Sequence, residues 1–324
     1  MKLFLTGGAG YIGSAIAERL LADGHAVTIY DSLVTGHRAA VPAGAEFIKA
    51  DLADGAALEQ ALGGGFDAVL HFAAFIEAGE SMADPGKYFE NNTVNSLRLI
   101  EAAHTAGIGR FLLSSTAAVY QTSDEPLGED APLGPTNVYG QTKLMIERAL
   151  DWYRQVHGLH YAALRYFNAS GALPGRGEAH QPESHLIPIT LQVALGQREQ
   201  LSIHGSDYPT PDGTCIRDYI HLADLVSGHV LALEALGEHE QLVYNLGSGS
   251  GFSIREIVET AREVTGHAIP AAEGPRRPGD PARLVASSAK IQRELGWQPE
   301  HSSLEEIIGS AWDWHQAHPD GYAT

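Results

Sequence analysis

The chain has 324 residues, of which 44% are hydrophobic and 19% charged, a balance typical of a globular protein with a large core. The formal net charge of −19 argues against nucleic acids and anionic lipid surfaces as partners. No apolar run reaches the roughly 18 residues that a membrane span needs. Gly7 also interrupts the apolar stretch after Lys2, so no signal peptide is predicted. The single cysteine, Cys215, can form no intramolecular disulfide, which favours a cytoplasmic location.

Strand and helix patterns alternate through the first half of the chain. The predicted strands are 2–6, 26–30, 46–49, 67–72, 110–114 and 161–165. The predicted helices are 12–22, 56–62, 88–106 and 138–156. This alternation is typical of a parallel sheet with helices on both faces. We therefore expect a doubly wound α/β domain.

The composition changes after Asn168. Segment 171–184 is rich in glycine, proline and charge, which is typical of a loop or lid, and 208–213 is a second loop. Helices are predicted at 186–195, 223–236, 254–264 and 304–315, with a strand at 243–246. We expect residues 1–170 to form the larger domain, with segments near 215–247 returning to it. Residues 171–324 should form mainly a smaller α/β domain.

A glycine-rich turn follows the first predicted strand and leads into a helix. The glycines that satisfy both common dinucleotide-binding spacings are Gly7, Gly8, Gly10 and Gly13. Such a turn lets the backbone approach a pyrophosphate, and the helix N-terminus supplies free N–H groups. Asp31 closes the next strand 18 residues later. Its carboxylate can accept from both ribose hydroxyls and would repel a 2′-phosphate, so NAD is predicted rather than NADP.

Further residues around this turn and at the same sheet edge complete the predicted cofactor site. Ligands of open α/β sheets bind beyond the carboxyl ends of the strands. The residues predicted on this ground are Tyr11, Ile12, Ser32, Asp51, Leu52, Phe72, Ala73 and Ala74. For Asp51, an adenine contact and a helix N-cap both remain open.

A tyrosine and a lysine lie one turn apart on the predicted helix 138–156. These are Tyr139 and Lys143, and the preceding strand ends near Thr116 at the same sheet edge. A free tyrosine has a pKa of about 10. The Lys143 ammonium and a positive nicotinamide ring would both lower that pKa. The set predicts hydride transfer at a carbinol carbon, in which Thr116 binds the reacting oxygen, Tyr139 takes its proton and Lys143 also holds the nicotinamide ribose.

At these motifs the chain resembles the extended short-chain dehydrogenase/reductases, and within that family the UDP-glucose 4-epimerases. The resemblance runs from Lys2 to about Tyr322 and is most specific at 207–221, where Asp-Tyr-Pro-Thr-Pro-Asp-Gly-Thr is followed by Arg-Asp-Tyr-Ile-His. It implies a homodimer with tightly bound NAD that interconverts UDP-glucose and UDP-galactose through a 4-keto intermediate. It also adds three residues to the cofactor contacts, namely Asn91, Ser114 and Phe167.

The resemblance further implies which residues bind the UDP-sugar besides Thr116 and Tyr139. They are Asn168, His185, Leu186, Ser202, Ile203, His204, Arg217 and 277–280, which include Arg277 and Asp280. Arg217 and Arg277 are forked donors suited to a diphosphate. Leu284 falls at a pocket position that varies within the family. Three further departures are Thr116 in place of a common serine, Ile76 in place of a lysine cofactor contact, and His185 in place of a frequent asparagine.

Three other functions remain open. Nucleotide-sugar 4,6-dehydratases place Asp-Glu directly after the threonine, where this chain has Ala117 and Ala118. A UDP-pentose or UDP-N-acetylhexosamine 4-epimerase would differ only in details of the pocket. A non-catalytic NAD-binding protein should have lost Tyr139 or Lys143, and both are present.

No metal site is predicted. The pairs His157/His160 and His315/His318 have a suggestive spacing. Neither pair is accompanied by a cluster of carboxylates or cysteines, and zinc sites use three or four such ligands. We therefore interpret these histidines as ordinary surface or core residues.

Overall fold

The computed structural model describes residues 1–277 and 280–323. Its centre is a parallel sheet of seven strands in the order β11-β6-β5-β4-β1-β2-β3, which confirms the predicted doubly wound α/β fold. The strands, in chain order, are β1 (Lys2–Thr6), β2 (Ala26–Asp31), β3 (Glu46–Lys49), β4 (Ala68–His71), β5 (Arg110–Thr116), β6 (His160–Tyr166), β7 (Asn168–Ser170), β8 (Leu201–His204), β9 (Ile216–Arg217), β10 (Tyr219–His221), β11 (Gln241–Leu246), β12 (Phe252–Ser253), β13 (Ala271–Gly274) and β14 (Arg283–Leu284).

Helices cover both faces of this sheet. Successive residues of a strand point to opposite sides, and in these strands both sides carry apolar residues that must be buried. Leu3 of β1 packs in a core with the helices at 11–22 and 222–235, whereas Phe4 packs in a second core with those at 95–105 and 138–157. The α-helices are α1 (Tyr11–Ala22), α2 (Gly55–Leu62), α3 (Ala78–Ala83), α4 (Pro85–Tyr88), α5 (Asn95–Thr105), α6 (Val138–His157), α7 (Leu186–Ala194), α8 (Leu222–Ala235), α9 (Ile254–Thr265), α10 (Ala289–Leu295) and α11 (Leu304–Ala317).

The segment predicted as one helix over 88–106 has a more complex structure. Helix α4 begins after Asp84, which caps it by accepting from the Lys87 N–H, and it continues into a π-helix at Phe89–Val94 before α5. Short π-helical insertions often occur at functional sites. Here the insertion includes Asn91, one of the predicted cofactor contacts.

A third core lies in the second half of the chain, between α7, α9 and α11. Its members include Leu191, Ile257 and Ile308, one from each of these helices. Two small sheets border this core, one made of β8 and β13 and the other of β12, β9 and β14. In contrast, α8 and β11, from the segment expected to return to the larger domain, pack with the seven-stranded sheet. Within the described ranges, no helix combines the length and apolar character that crossing a membrane requires.

Candidate active site

A cleft of about 1900 Å³ runs along the carboxyl edge of the large sheet and is lined on its other side by residues of the second half. The predicted site residues in the described part of the chain line this cleft, except Gly8 of the glycine-rich turn and Ile203. A Cβ on Gly8 would lie 2.7 Å from the Ile29 side chain. The Ile203 side chain is buried and lines a small separate cavity. Ser202 and His204 flank it on β8 and face the cleft. Because side chains alternate along a strand, the three could not all point to one ligand.

The glycine-rich turn permits contacts that a side chain would prevent. Gly7 has a φ of +72°, and a Cβ there would lie 2.4 Å from the Ala73 nitrogen. A Cβ on Gly13 would lie 2.3 Å from the Gly7 carbonyl oxygen. Gly10 precedes α1, and no side chain of the described residues caps this helix end. The first N–H groups of α1 are therefore available to an anion, as a dinucleotide pyrophosphate requires.

Asp31 lies at the end of β2 beside this turn, and its carboxylate is oriented by backbone donors. It accepts from the Ala9 N–H at 3.0 Å and from the Leu33 N–H at 2.8 Å. Burial raises the pKa of Asp31, and the two backbone hydrogen bonds and His37 oppose that shift. The oriented carboxylate and the free helix end together fit the adenine ribose and pyrophosphate of NAD.

Helix α6 brings Tyr139 and Lys143 to the end of β5. Asn137 caps the helix by accepting from the Gly140 N–H at 2.8 Å. Gly140 packs so closely that a Cβ there would lie 2.2 Å from the Ala118 carbonyl oxygen. Lys143 is buried, and its Nζ donates to the Ser114 carbonyl at 2.7 Å. The close packing therefore brings the phenol and the ammonium to the part of the cleft where Thr116 forms a hydrogen bond with Tyr139.

Burial has the largest effect on the ionisation of both Tyr139 and Lys143. Burial raises the pKa of Tyr139 to about 12, while a hydrogen bond with Thr116 opposes the rise and Glu77 adds to it. Burial also lowers the pKa of Lys143 to about 8, against the opposing effect of Glu147. The predicted lowering of the Tyr139 pKa combines Lys143 with the positive nicotinamide ring, and it stays a prediction. Within the protein alone, desolvation dominates, and the Lys143 ammonium donates to the Ser114 carbonyl.

Arginines and polar residues of the second half line the opposite part of the cleft. Arg217 is buried, and its Nη2 lies 2.6 Å from the Asp280 carboxylate. Arg277 is exposed and lines the same region. This pair of guanidinium groups provides forked donors for a diphosphate. Pro278 and Gly279, which the resemblance also assigns to the sugar nucleotide, lie outside the described residues.

A cluster that was not predicted from the sequence lies at the edge of the cleft and is formed by Glu178, His180, Glu183 and His185. His185 Nδ1 lies 2.7 Å from a Glu178 oxygen and 3.0 Å from a Glu183 oxygen. Burial alone would lower the pKa of His185, but Glu178 and Glu183 raise it to about 11. The signal available in the sequence was the Glu-x-His-x-x-Glu-x-His spacing over 178–185, within a segment interpreted only as a loop or lid.

Comparison with known proteins places these features in a larger group. A sequence model of the NAD dependent epimerase/dehydratase family matches residues 3–247. A UDP-glucose 4-epimerase of Corynebacterium glutamicum is 51% identical over 314 residues, which are 96% of this chain and 95% of that protein. A crystal structure of a UDP-glucose 4-epimerase is 49% identical, covers 100% of both chains and has a TM-score of 0.97. The UDP-glucose 4-epimerase of Brucella ovis in complex with NAD is 44% identical, with 96% and 97% of the two chains covered and a TM-score of 0.93.

Proposed function

The chain belongs to the NAD dependent epimerase/dehydratase family, and from this membership we propose that it interconverts UDP-glucose and UDP-galactose by epimerisation at C4. Similarity to UDP-glucose 4-epimerases over the full length supports this function. The observation that carries the proposal is the convergence of Thr116, Tyr139 and Lys143 in the cleft that also contains the glycine-rich turn.

The residues of this cleft have separate roles in the proposed reaction. Thr116 hydrogen-bonds the 4-hydroxyl of the sugar, and Tyr139 removes its proton as the C4–H bond breaks. When bound, NAD supplies the hydride acceptor and donor for C4, and its oxidised ring carries a positive charge that favours the phenolate. Lys143 holds the nicotinamide ribose. Arg217 and Arg277 hold the diphosphate, about which the oxidised sugar turns to present its other face.

The side chains after Thr116 favour an epimerase over a dehydratase. Ala117 and Ala118 both line the cleft at the positions where a 4,6-dehydratase would carry an acid and a base. Neither methyl group can transfer a proton to or from C5 or the C6 hydroxyl. The oxidised sugar should therefore be reduced again at C4 without loss of water.

Incubation of the purified protein with UDP-galactose, followed by chromatography of the products, tests the function. We expect UDP-glucose to accumulate until the two sugars reach equilibrium, and the reverse reaction to reach the same ratio from UDP-glucose. A UDP-4-keto-6-deoxy sugar would instead identify a dehydratase. Binding of UDP-galactose without any conversion would indicate a non-catalytic protein.

We also propose that the protein is a homodimer that pairs through α5 and α6. Four large apolar side chains on these two helices are exposed, namely Leu97, Met145, Trp152 and Val156. The three on α6 are spaced by seven and four residues, so they share one face of the helix. A two-fold axis through this face would let the same patch cover itself.

A cytoplasmic place in galactose metabolism is the last part of the proposal. It is supported by the sugar nucleotides that the cleft would bind and by the single cysteine, Cys215, which is buried as a free thiol. Fractionation of cells with an antibody against this protein tests the location.

A further inference from the structure

Two glutamates and two histidines converge on one point at the edge of the cleft, in the connection between β7 and α7. The four residues are Glu178, His180, Glu183 and His185, and they lie within eight consecutive positions. One ligand atom from each side chain lies within 4.8 Å of every other. The function proposed above assigns no role to Glu178, His180 or Glu183.

The donor atoms are close to the spacing that a metal ion imposes. In a tetrahedral zinc site, bonds of about 2.0–2.2 Å place neighbouring ligand atoms about 3.3–3.6 Å apart. His180 Nδ1 lies 3.0 Å from a Glu178 oxygen, and His185 Nδ1 lies 2.7 Å and 3.0 Å from oxygens of Glu178 and Glu183. Side-chain shifts of less than about 1 Å would bring these pairs to the zinc spacing.

The surroundings hold the two carboxylates in place. The side chains of Glu178 and Glu183 are only 6% and 3% exposed. One Glu183 oxygen accepts from the backbone N–H groups of Ser184 and His185, both at 2.8 Å. The Trp314 indole donates to the backbone carbonyl of Glu178 at 3.1 Å, which positions the main chain there rather than the carboxylate. Such outer contacts orient metal ligands and are a general feature of metal sites.

The same cluster could be explained by ion pairs between the carboxylates and protonated imidazoles. Ion pairs need only local contacts, since each proton joins one donor to one acceptor. They do not require one ligand atom from each of the four side chains to lie within 4.8 Å of every other, as is the case here. Two neutral imidazoles and two carboxylates also balance a divalent cation, and nitrogen–oxygen sets of this kind suit zinc and its neighbours in the first transition row.

We propose that Glu178, His180, Glu183 and His185 form a binding site for a divalent transition-metal ion of the zinc type. The Ala179 carbonyl of segment 178–185 meets His37 Nε2 of the larger domain at 2.9 Å. Because all four ligands belong to this segment, the ion would fix the conformation of the segment itself at the edge of the cleft. Its role would be to hold this wall of the cleft in place. His185 uses Nδ1 in the cluster, so Nε2 remains as its second polar atom for the cleft.

Metal binding can be measured without reference to catalysis. The full-length protein, stripped with a chelator and dialysed, is titrated with Zn²⁺ in a calorimeter and with Co²⁺ in an absorption spectrometer, and its bound zinc is counted by mass spectrometry. We expect one equivalent of Zn²⁺ per chain, a rise in Tm on zinc addition, and the visible bands of four-coordinate Co²⁺. A wild-type protein that binds no Zn²⁺ under these conditions overturns the proposal.

Substitutions locate the bound ion. The double variant Glu178→Gln/His180→Gln should lose more affinity than the roughly 10–100-fold that removal of an outer-shell partner costs. The control is His301→Gln/Glu306→Gln, which alters another histidine–glutamate pair, with 2.6 Å between Nδ1 and Oε1, far along the chain. This control should bind zinc like the wild type. Unchanged zinc binding in the first variant, or equal loss in both, contradicts the assignment. If the first variant fails to fold, the single substitution Glu183→Gln tests the same site, and it should also weaken zinc binding.

Discussion

Tyr139 lies in an environment that opposes its own ionisation. Burial raises its pKa to about 12, and the nearest ammonium, on Lys143, donates to the Ser114 carbonyl. The groups of the protein therefore favour the protonated phenol. A positive charge on the oxidised cofactor is expected to favour the phenolate. This arrangement would link proton removal to the presence of an electron acceptor.

The substitution Tyr139→Phe tests the assignment of the base. The ring still packs, but no group accepts the proton, so turnover of UDP-galactose should fall by about 10²–10⁴-fold or more. The amount of NAD bound per chain should stay close to that of the wild type. For comparison, Lys143→Ala should reduce both turnover and bound NAD. Retention of most of the activity by Tyr139→Phe would show that another group is the base.

Leu284 is the residue that we expect to influence which sugars are accepted. It lines the cleft, on β14 beside Arg217. Leucine is smaller than tyrosine and larger than alanine, and one or two methylene-sized increments change selectivity by only about 1–3 kcal/mol. The wild type should therefore prefer UDP-galactose and act more weakly on UDP-N-acetylgalactosamine.

The substitution Leu284→Tyr should remove the second activity and spare the first, because the larger ring fills the space that the acetamido group needs. The measurement is kcat/KM for both substrates in both proteins. Absence of N-acetyl activity in the wild type, or its persistence in the variant, would mean that Leu284 does not control sugar size.

At the scale of elements, α6 is the helix on which the proposed chemistry depends. One turn after Lys143, Glu147 forms a buried ion pair with Arg165 of β6 at 2.6 Å. Ser115 of β5 donates to the same carboxylate, and Arg165 donates to the Tyr120 hydroxyl at 2.8 Å. A network of charged hydrogen bonds thus joins α6 to the sheet, one helical turn away from Lys143.

Loss of one charge from this network should be costly. Glu147→Gln leaves the buried Arg165 without its ion-pair partner, and we expect the free energy of unfolding to fall by about 3–5 kcal/mol. Urea denaturation followed by circular dichroism measures the change. The matched control is Glu240→Gln, since Glu240 is exposed and lies 3.6 Å from Arg154; it should leave stability nearly unchanged. Equal effects of the two substitutions would contradict this account.

Periodicity in the sequence predicted the elements of the large sheet well. Its signal is strong where a strand is buried on both faces, as at Lys2–Thr6, or where a glycine ends a helix, as Gly158 with a φ of +70° ends α6. Short elements such as β9 and β14 have two residues each and too few positions for a period. Their pairing depends on contacts between segments far apart in sequence.

Some site residues were predicted wrongly or not at all, and the reason differs from that for the short strands. A family motif names consecutive residues, but a strand turns alternate side chains away from one another, and so Ile203 faces the interior rather than the cleft. His180 and Glu183 were missed because loop segments have no regular period. Only the folded path of 178–185 shows that its polar side chains converge.

For the molecule as a whole, the glycine-rich turn and Asp31 predict tight retention of the cofactor. The proposed reaction returns NAD to its starting state in each cycle, so the cofactor has no need to leave. We expect the purified protein to contain NAD without any addition, released by denaturation and measured enzymatically in the supernatant. Because Asp31 would repel a 2′-phosphate, a predominance of NADP(H) would show that its predicted role is wrong.

The proposed homodimer also makes a prediction at this scale. Trp152 and Val156 are 63% and 64% exposed, which is unusual for large apolar side chains of a monomer. Light scattering after size exclusion should give twice the 34.6 kDa of one chain. Trp152→Glu should shift the protein toward the monomer, because burying a carboxylate at a two-fold axis places two like charges close together. A monomeric wild type would contradict the proposed pairing. So would a Trp152→Glu variant whose dimer dissociates no more readily than that of the wild type.

Strand β11 is synthesised well after β6, the strand with which it pairs, and this order has a consequence for folding during synthesis. This strand completes one edge of the seven-stranded sheet by pairing with β6, yet it ends about eighty residues after β6 does. On the ribosome, at about 5–20 residues per second, the edge of β6 would stay uncovered for roughly 4–16 s. An unpaired parallel strand is a template for aggregation during that interval. The nascent chain is therefore expected to need a chaperone most in the period between emergence of His160–Tyr166 and emergence of Gln241–Leu246.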